Sequence, residues 1–206
     1  MNRYLLVFLL FSALAFGQTI SFAPAHNYYG GVGPIQAYVG DWNGDGKMDI
    51  ASQAHYGDLN PAYVIAHLGN GDGTFQKYVS TTLDVVAAFH EYSVTAAHLR
   101  DGKQTDLLVY SNRWDVGAIL QAYISQGNGT FSPGNDLPEG LDQGFPFLIA
   151  VGSFGNGHRD IVSLCCNFNP VGVEIWPGNG DGTFSEPLVI ATVSETTIVY
   201  GIADTI

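Results

Sequence analysis

One phrase of sequence recurs three times along this chain at nearly constant spacing. It reads Gly-Asn-Gly-Asp-Gly-Thr-Phe in its first and third copies and Gly-Asn-Gly-Thr-Phe in its second. The phenylalanines that close the three copies are Phe75, Phe131 and Phe184, which lie 56 and 53 residues apart. A second marker, an aspartate followed by isoleucine or leucine, recurs in step at Asp49, Asp106 and Asp160, with spacings of 57 and 54 residues. Two markers that share one period indicate stacked supersecondary units such as propeller blades.

Each period is predicted to hold four short strands joined by turns. The expected strands are 34–40, 49–54, 62–68 and 74–80 in the first period, 93–98, 106–111, 117–125 and 130–132 in the second, and 147–152, 160–165, 172–177 and 183–190 in the third. No segment shows a convincing amphipathic helical pattern. The sequence therefore predicts an all-β chain of propeller blades, each with four antiparallel strands. The repeats span about 28–85, 86–140 and 141–194, and a partial fourth covers 195–206.

The turn after the first predicted strand has the composition of a calcium-binding loop. Oxygen-bearing side chains stand at its positions 1, 3, 5 and 9, and glycines stand at positions 4 and 6. Calcium takes six to eight oxygen ligands, which a short loop can largely supply. The predicted ligands are the side chains of Asp41, Asn43, Asp45 and Asp49 and the backbone carbonyl of Lys47. The alternative is a solvated acidic turn, since Asn, Asp and Gly are common in turns.

The residues around this loop exclude one familiar calcium motif. An EF-hand needs a bidentate acid at position 12 and a helix on each side. Position 12 here is Ser52, and both flanks are predicted strands. An EF-hand or the related dockerin loop is therefore not expected.

The loop and the glycine-rich phrase together resemble the FG-GAP, or VCBS-type, repeat. The resemblance lies in Val39-Gly40-Asp41-Trp42-Asn43-Gly44-Asp45-Gly46-Lys47-Met48-Asp49-Ile50-Ala51, followed by the Gly-Asn-Gly-Asp-Gly-Thr-Phe phrase, and it covers about 28–206. That repeat builds the β-propeller of the integrin alpha-subunit N-terminal domain and of many bacterial secreted proteins. The resemblance implies that the aspartate loop joins two strands of a blade and holds calcium.

The equivalent loops of the second and third repeats depart from this pattern. In the second repeat, His98, Arg100 and Gly102 stand in the places of Asp41, Asn43 and Asp45 when Asp106 is aligned with Asp49. A cationic arginine there would repel calcium, so no metal is predicted. The third loop is one residue shorter and keeps Asp160 as its single acid. One calcium ion, in the first repeat, is the expectation.

The ends of the sequence suggest an exported segment of a longer propeller. Residues 1–17 have the short positive start and the apolar core of about twelve residues that are typical of a cleavable signal peptide. This apolar core is too short for a transmembrane helix. Residues 18–27 form a lead-in, and the last residues resemble the entry into a fourth loop, with Asp204 near the place of Asp41. Because closed propellers have four to eight blades, the ring is expected to be completed by missing blades. Two chains sharing one ring is a less favoured alternative.

Composition narrows the class of partner. The formal net charge of −12, with 7 Lys and Arg against 19 Asp and Glu, excludes a nucleic-acid footprint.

The scattered glutamates and histidines show no spacing of paired acids or of zinc ligands, so no catalysis is predicted. Cys165 and Cys166 are adjacent, and we expect two thiols rather than a vicinal disulfide. The favoured function is a secreted calcium-stabilised scaffold that binds extracellular protein or glycan.

Two other functions were weighed against the scaffold. A sugar-binding lectin would use Trp42, Tyr56 or Trp114 in clefts, against the alternative that these aromatic side chains pack between blades. Part of a secreted carbohydrate-active lyase is the third possibility.

Overall fold

The computed structural model describes residues 24–55, 61–86, 92–113, 117–137, 149–165 and 171–193. These residues form twelve strands, and none of them lies in a helix. The strands are β1 (Gln36–Gly40), β2 (Asp49–His55), β3 (Pro61–His67), β4 (Val79–Val86), β5 (Tyr92–Ala97), β6 (Asp106–Arg113), β7 (Gly117–Ser125), β8 (Phe131–Asp136), β9 (Ile149–Gly152), β10 (Asp160–Cys165), β11 (Val171–Trp176) and β12 (Leu188–Val193).

The twelve strands make three antiparallel sheets of four strands each. Sheet 1 has the order β1-β2-β3-β4, sheet 2 the order β5-β6-β7-β8, and sheet 3 the order β9-β10-β11-β12. Every strand pairs with its neighbour in sequence, so each sheet is a simple meander. The prediction of an all-β chain with four antiparallel strands per repeat is confirmed at this level.

The fourth strand was placed wrongly in two of the three repeats. In sheet 1 it begins at Val79 rather than at 74, and in sheet 3 at Leu188 rather than at 183. In both sheets the glycine-rich turn closes through one isolated bridge, Gly69 to Phe75 and Gly178 to Phe184, before the ladder resumes in a shifted register. An extra residue on one side of a ladder interrupts its pairing, as in a β-bulge.

Sheet 2 lies between sheets 1 and 3, and its central strand shows why. Leu107 and Val109 belong to a hydrophobic cluster shared with sheet 1, whereas Leu108 and Tyr110 belong to a cluster shared with sheet 3. Successive side chains of a strand point to opposite faces, so an uninterrupted apolar strand supplies both clusters. Trp42 is fully buried in the first cluster, where its ring meets Phe131 edge-on at 5.6 Å.

Some apolar side chains on the outer faces of sheets 1 and 3 are exposed, whereas their equivalents between the sheets are buried. Trp42, Leu99 and Phe154 occupy the same position of the three repeats, and they are 0%, 1% and 56% exposed. Val39, on the outer face of sheet 1, is 59% exposed. The repeat position is therefore covered only where a further sheet follows among the described residues.

A short segment before β1 lies on the outer face of sheet 1. The carbonyl of Tyr29 is 2.9 Å from Nε2 of His67, and the carbonyl of Gly30 accepts a 2.8 Å hydrogen bond from the Ser52 hydroxyl. Tyr28 packs edge-on against His67 and Phe75. Residues 28–30 therefore cover part of a sheet face that would otherwise be open.

Several sequence predictions fall outside the described residues. They concern the signal peptide at 1–17, the partial fourth repeat at 195–206, the aromatic residues Tyr56 and Trp114, and Cys166. Within the described ranges, no helix has the length and apolarity that crossing a membrane would need.

Candidate metal centre

Two kinds of connection meet at one end of each sheet. The first joins the first and second strands, and we call these loop 1 (41–48), loop 2 (98–105) and loop 3 (153–159). The second joins the third and fourth strands and contains the glycine-rich phrase; we call these hairpin 1 (69–75), hairpin 2 (125–131) and hairpin 3 (178–184). The aspartate that follows each loop is the first residue of the next strand.

These three aspartates are buried and fasten each loop to its hairpin. Asp49, Asp106 and Asp160 are 0%, 0% and 2% exposed. In each, Oδ1 accepts a hydrogen bond from a backbone N–H of the facing hairpin. The donors are Gly69, Ser125 and Gly178, at 2.7, 2.9 and 2.8 Å. Burial of a carboxylate requires such partners, so the recurring aspartate is an organising element of every sheet.

Besides the N–H from the hairpin, each buried aspartate accepts hydrogen bonds from its own loop, and the donor differs from loop to loop. In loop 1 the donor is the Trp42 N–H, 2.8 Å from Oδ2 of Asp49. In loop 2 it is the guanidinium of Arg100, which donates from Nε to Oδ2 of Asp106 at 3.0 Å and from Nη2 to Oδ1 at 2.7 Å.

Loop 3 uses both kinds of donor, a backbone N–H as in loop 1 and a side chain as in loop 2. The Phe154 N–H lies 2.9 Å from Oδ2 of Asp160, and the Asn156 amide lies 2.6 Å from its Oδ1. Among the described contacts, Asp49 alone has only backbone donors.

Loop 1 folds around the carboxylate of Asp41. Its Oδ1 accepts hydrogen bonds from the N–H groups of Gly44 and Asp45, at 2.7 and 3.1 Å, and its Oδ2 accepts one from Gly46 at 2.8 Å. Gly44 and Gly46 have φ angles of 77° and 82°, which an L-residue rarely adopts. The two glycines therefore let the chain turn tightly enough to direct successive N–H groups at one side chain.

The next predicted ligands are also held by the loop backbone. Oδ1 of Asn43 accepts a 3.0 Å hydrogen bond from the Asp45 N–H, and Oδ1 of Asp45 accepts one of 2.9 Å from the Lys47 N–H. The Lys47 N–H bond and the nearby ammonium hold the pKa of the exposed Asp45 carboxyl below its usual value. The Lys47 ammonium lies 3.3 Å from Oδ2 of Asp45, and water screens this exposed pair, so it contributes little to stability.

Asp49 has the opposite electrostatic environment. Burial raises the pKa of its carboxyl, and the negative charges of Asp41 and Asp45 raise it further, although the Gly69 and Trp42 N–H bonds act to lower it. The ionised form of this carboxylate is thus poorly compensated by the protein itself. A bound cation would relieve that cost.

Loop 1 is fixed to sheet 2 as well as to its own sheet. The Asp41 N–H donates to the Thr105 hydroxyl at 3.0 Å, and the Thr105 N–H donates to the Asp41 carbonyl at 2.8 Å. The hydroxyl of Ser125 donates to the carbonyl of Trp42. Anything that rigidifies loop 1 therefore also acts on the junction between sheets 1 and 2.

The donor set of loop 1 fits calcium by its chemistry and its charge. Residues 41–49 carry three aspartates and one lysine, a formal charge of −2, whereas 98–106 and 152–160 each sum to zero with histidine neutral. In the described part of the chain, no three or more His, Cys, Asp and Glu side chains converge as a site made of those residues alone would require. A calcium ion would therefore depend on the Asn43 amide and backbone oxygens beside the carboxylates.

The hairpin aspartates have a different role from those of loop 1. In hairpin 3, Oδ1 of Asp181 accepts hydrogen bonds from the Thr183 hydroxyl and N–H, at 2.6 and 2.9 Å, and Asp72 and Thr74 repeat the arrangement in hairpin 1. These bonds hold the pKa of both carboxyls below the usual value. Each aspartate therefore closes its own turn.

The sequence located the loop residues and missed the role of the aspartate at the end of each loop. The sequence predicts Asp49 as one ligand among five, and it identifies Asp106 and Asp160 only as markers of the period. The signal is present in the sequence, because Asp106 and Asp160 follow loops that lack acids at the places of Asp41 and Asp45, so these two aspartates need a reason independent of metal.

No protein-family model matches the chain, and no curated protein matches it.

Proposed function

We propose that loop 1 binds one Ca²⁺ ion and that the chain is part of a secreted, calcium-stabilised β-propeller of the FG-GAP type. The proposed ligands are the side-chain oxygens of Asp41, Asn43, Asp45 and Asp49 and the carbonyl of Lys47. The observation that carries the proposal is the uncompensated charge of loop 1 around the buried Asp49. Loops 2 and 3, which occupy the same place in their sheets, are neutral.

The position of loop 1 favours a structural role for the ion. Its backbone is bonded to Thr105 and Ser125 of sheet 2, so calcium would stiffen the contact between two sheets. A non-catalytic scaffold that presents its other loops to extracellular protein or glycan agrees with this. The full burial of Trp42 disfavours its use as a sugar-stacking residue, and this weakens the lectin alternative.

Two features support the finer assignment to a propeller. The Phe75 N–H donates to the Tyr28 hydroxyl at 3.2 Å, just as the Phe131 N–H donates to the Thr81 hydroxyl of β4 at 3.1 Å. The segment at Tyr28 therefore takes, on sheet 1, the place that β4, the outer strand of sheet 1, takes on sheet 2. At the other end, the exposed Phe154 occupies the position that a following sheet covers at Trp42 and Leu99. Both observations favour further sheets of the same kind on each side.

Calorimetric titration of the purified chain with calcium tests the proposal directly. We expect one bound ion and a higher melting temperature in calcium than in EDTA. At 100 times Kd, the ion would stabilise the fold by about 2.7 kcal/mol. A chain that melts cooperatively at the same temperature in both buffers and binds no calcium would contradict the proposed site.

Replacing Phe154 by alanine tests whether the outer face of sheet 3 is uncovered. Because its side chain is 56% exposed, the free energy of unfolding is expected to fall by less than about 1 kcal/mol. Chemical denaturation of the chain measures this. A loss above about 2 kcal/mol, typical of a buried large side chain, would show that this face is already packed.

A further inference from the structure

We propose that Arg100 is a built-in counter-ion that occupies in loop 2 the role that calcium has in loop 1, and that it determines which loop takes the metal. The comparison with loop 1 rests on the proposed function. The ion pair between Arg100 and Asp106 is independent of it.

The contacts of Arg100 are those of a cation held at a prepared anionic site. Its guanidinium makes two hydrogen bonds to the carboxylate of Asp106, at 3.0 and 2.7 Å, a planar two-point arrangement that lysine cannot reproduce. Nη2 also donates to Oε1 of Gln104 at 3.1 Å and lies 3.4 Å from the carbonyl of Ser125. The Arg100 side chain is 26% exposed and the Asp106 side chain 0%, so the pair is largely withdrawn from water.

The backbone of Arg100 is held in place by hairpin 3, and this fixes the position from which its side chain reaches Asp106. It forms an isolated bridge with Asp181, and the Asp101 N–H donates to the Gly180 carbonyl at 2.8 Å. Loop 2 is therefore anchored on hairpin 3 while its arginine reaches back to its own sheet. The position belongs to the junction of sheets 2 and 3, as loop 1 belongs to the junction of sheets 1 and 2.

The three loops are thus alternative answers to one electrostatic problem. Each sheet buries an aspartate at the same place, and a buried carboxylate needs compensation. Loop 2 supplies a permanent positive charge from Arg100 and loop 3 a neutral amide from Asn156. In loop 1 the described donors to Asp49 are backbone N–H groups alone, since Lys47 pairs with Asp45 instead, and the loop carries the further acids Asp41 and Asp45. A loop that supplies its own cation has no use for calcium, whereas loop 1 requires one from solution.

A double-mutant cycle on the ion pair is the first part of the test. Arg100→Met keeps the apolar length of the side chain and removes its charge, and we expect it to lower the melting temperature by roughly 5 °C or more, equally in calcium and in EDTA. Adding Asp106→Asn to Arg100→Met should lower the melting temperature little further, because both substitutions remove the same ion pair. Losses that add in Arg100→Met/Asp106→Asn, or an Arg100→Met variant as stable as the parent, would overturn the proposal.

Arg100→Lys keeps the readout available if the methionine variant does not fold. It retains the charge and loses the two-point geometry, so an intermediate melting temperature is expected. A lysine variant no more stable than the methionine variant would show that charge plays no part, and would also overturn the proposal.

The second part converts loop 2 into a copy of loop 1. The variant His98→Asp/Arg100→Asn/Asp101→Gly/Gly102→Asp/Lys103→Gly supplies the three missing oxygen side chains and the two glycines of loop 1, and a Cβ at Gly102 meets nothing within 4 Å. Calorimetry is expected to find one more calcium ion than in the parent chain. The same variant with Arg100 kept is the matched control and is expected to bind no additional calcium. A folded variant that binds none, or a control that binds as much, would overturn the assignment of specificity to Arg100. A parent chain that binds none would instead reject the calcium site of loop 1, and the ion-pair cycle would still decide the role of Arg100.

Discussion

Replacing Asp49 by alanine is expected to lower the free energy of unfolding by about 3 kcal/mol in EDTA, and by more in calcium, because a proposed ligand of the ion is also lost. The substitution leaves the N–H groups of Trp42 and Gly69 buried without their acceptors, and an unsatisfied buried group costs about 1–3 kcal/mol. Part of that loss is offset, because burial and the nearby acids already make the ionised Asp49 unfavourable, as its raised pKa indicates. Denaturant unfolding in EDTA measures the effect without any contribution from metal.

Asp72→Ala is the matched control for this experiment. Asp72 is also an aspartate near loop 1, but it is exposed and its acceptor role is confined to Thr74 within hairpin 1. Its replacement is expected to lower the free energy of unfolding far less than that of Asp49. If the two variants lose equal stability in EDTA, Asp49 does not fasten loop 1 to hairpin 1 in the way described.

Replacing Asp45 by alanine is expected to abolish calcium binding with little effect on the metal-free fold. Asp45 is exposed and pairs with Lys47 and the loop backbone, so its loss in EDTA should change the free energy of unfolding little. The stabilisation by calcium should disappear altogether. For a Kd of about 10⁻⁴ M, within the range of extracellular modules, 10 mM calcium would otherwise contribute about 2.7 kcal/mol.

Asp181→Ala separates a calcium ligand from an acidic turn residue. It lies in hairpin 3 and removes the same charge, but its carboxylate serves only the turn with Thr183. The calcium-dependent shift in melting temperature should be unchanged. Loss of calcium binding in Asp181→Ala, or its retention in Asp45→Ala, would contradict the assignment to loop 1.

The different effects expected for Asp45→Ala and Asp49→Ala indicate that the two residues have different roles: one mainly in calcium binding, the other also in the metal-free fold. Asp49 belongs to the sheet, since its bonds to Gly69 and Trp42 exist without an ion. Asp45 belongs to the loop surface, where its exposed carboxylate bonds to the N–H and the ammonium of Lys47. Calcium would therefore consolidate an existing junction rather than create it.

The period of the sequence determined the sheets. Three copies of the phrase ending at Phe75, Phe131 and Phe184, in step with Asp49, Asp106 and Asp160, were enough to predict three groups of four antiparallel strands. Strand alternation and turn chemistry are local properties that the sequence carries directly. The same local properties placed the glycines of loop 1, whose positive φ angles make the tight turn possible.

The tertiary structure alone decided what the buried aspartates and Arg100 do. The start of the fourth strand at Val79 and Leu188 depends on a register shift across the sheet. The hydrogen bonds that Asp49, Asp106 and Asp160 accept from the hairpins join residues about 20 positions apart. Their contribution to stability depends on how deeply the bonded groups are buried. Arg100 was expected only to repel calcium, yet in space it neutralises a carboxylate that no longer faces water. Charge compensation depends on distance and on the removal of solvent, and neither can be read from spacing along a chain.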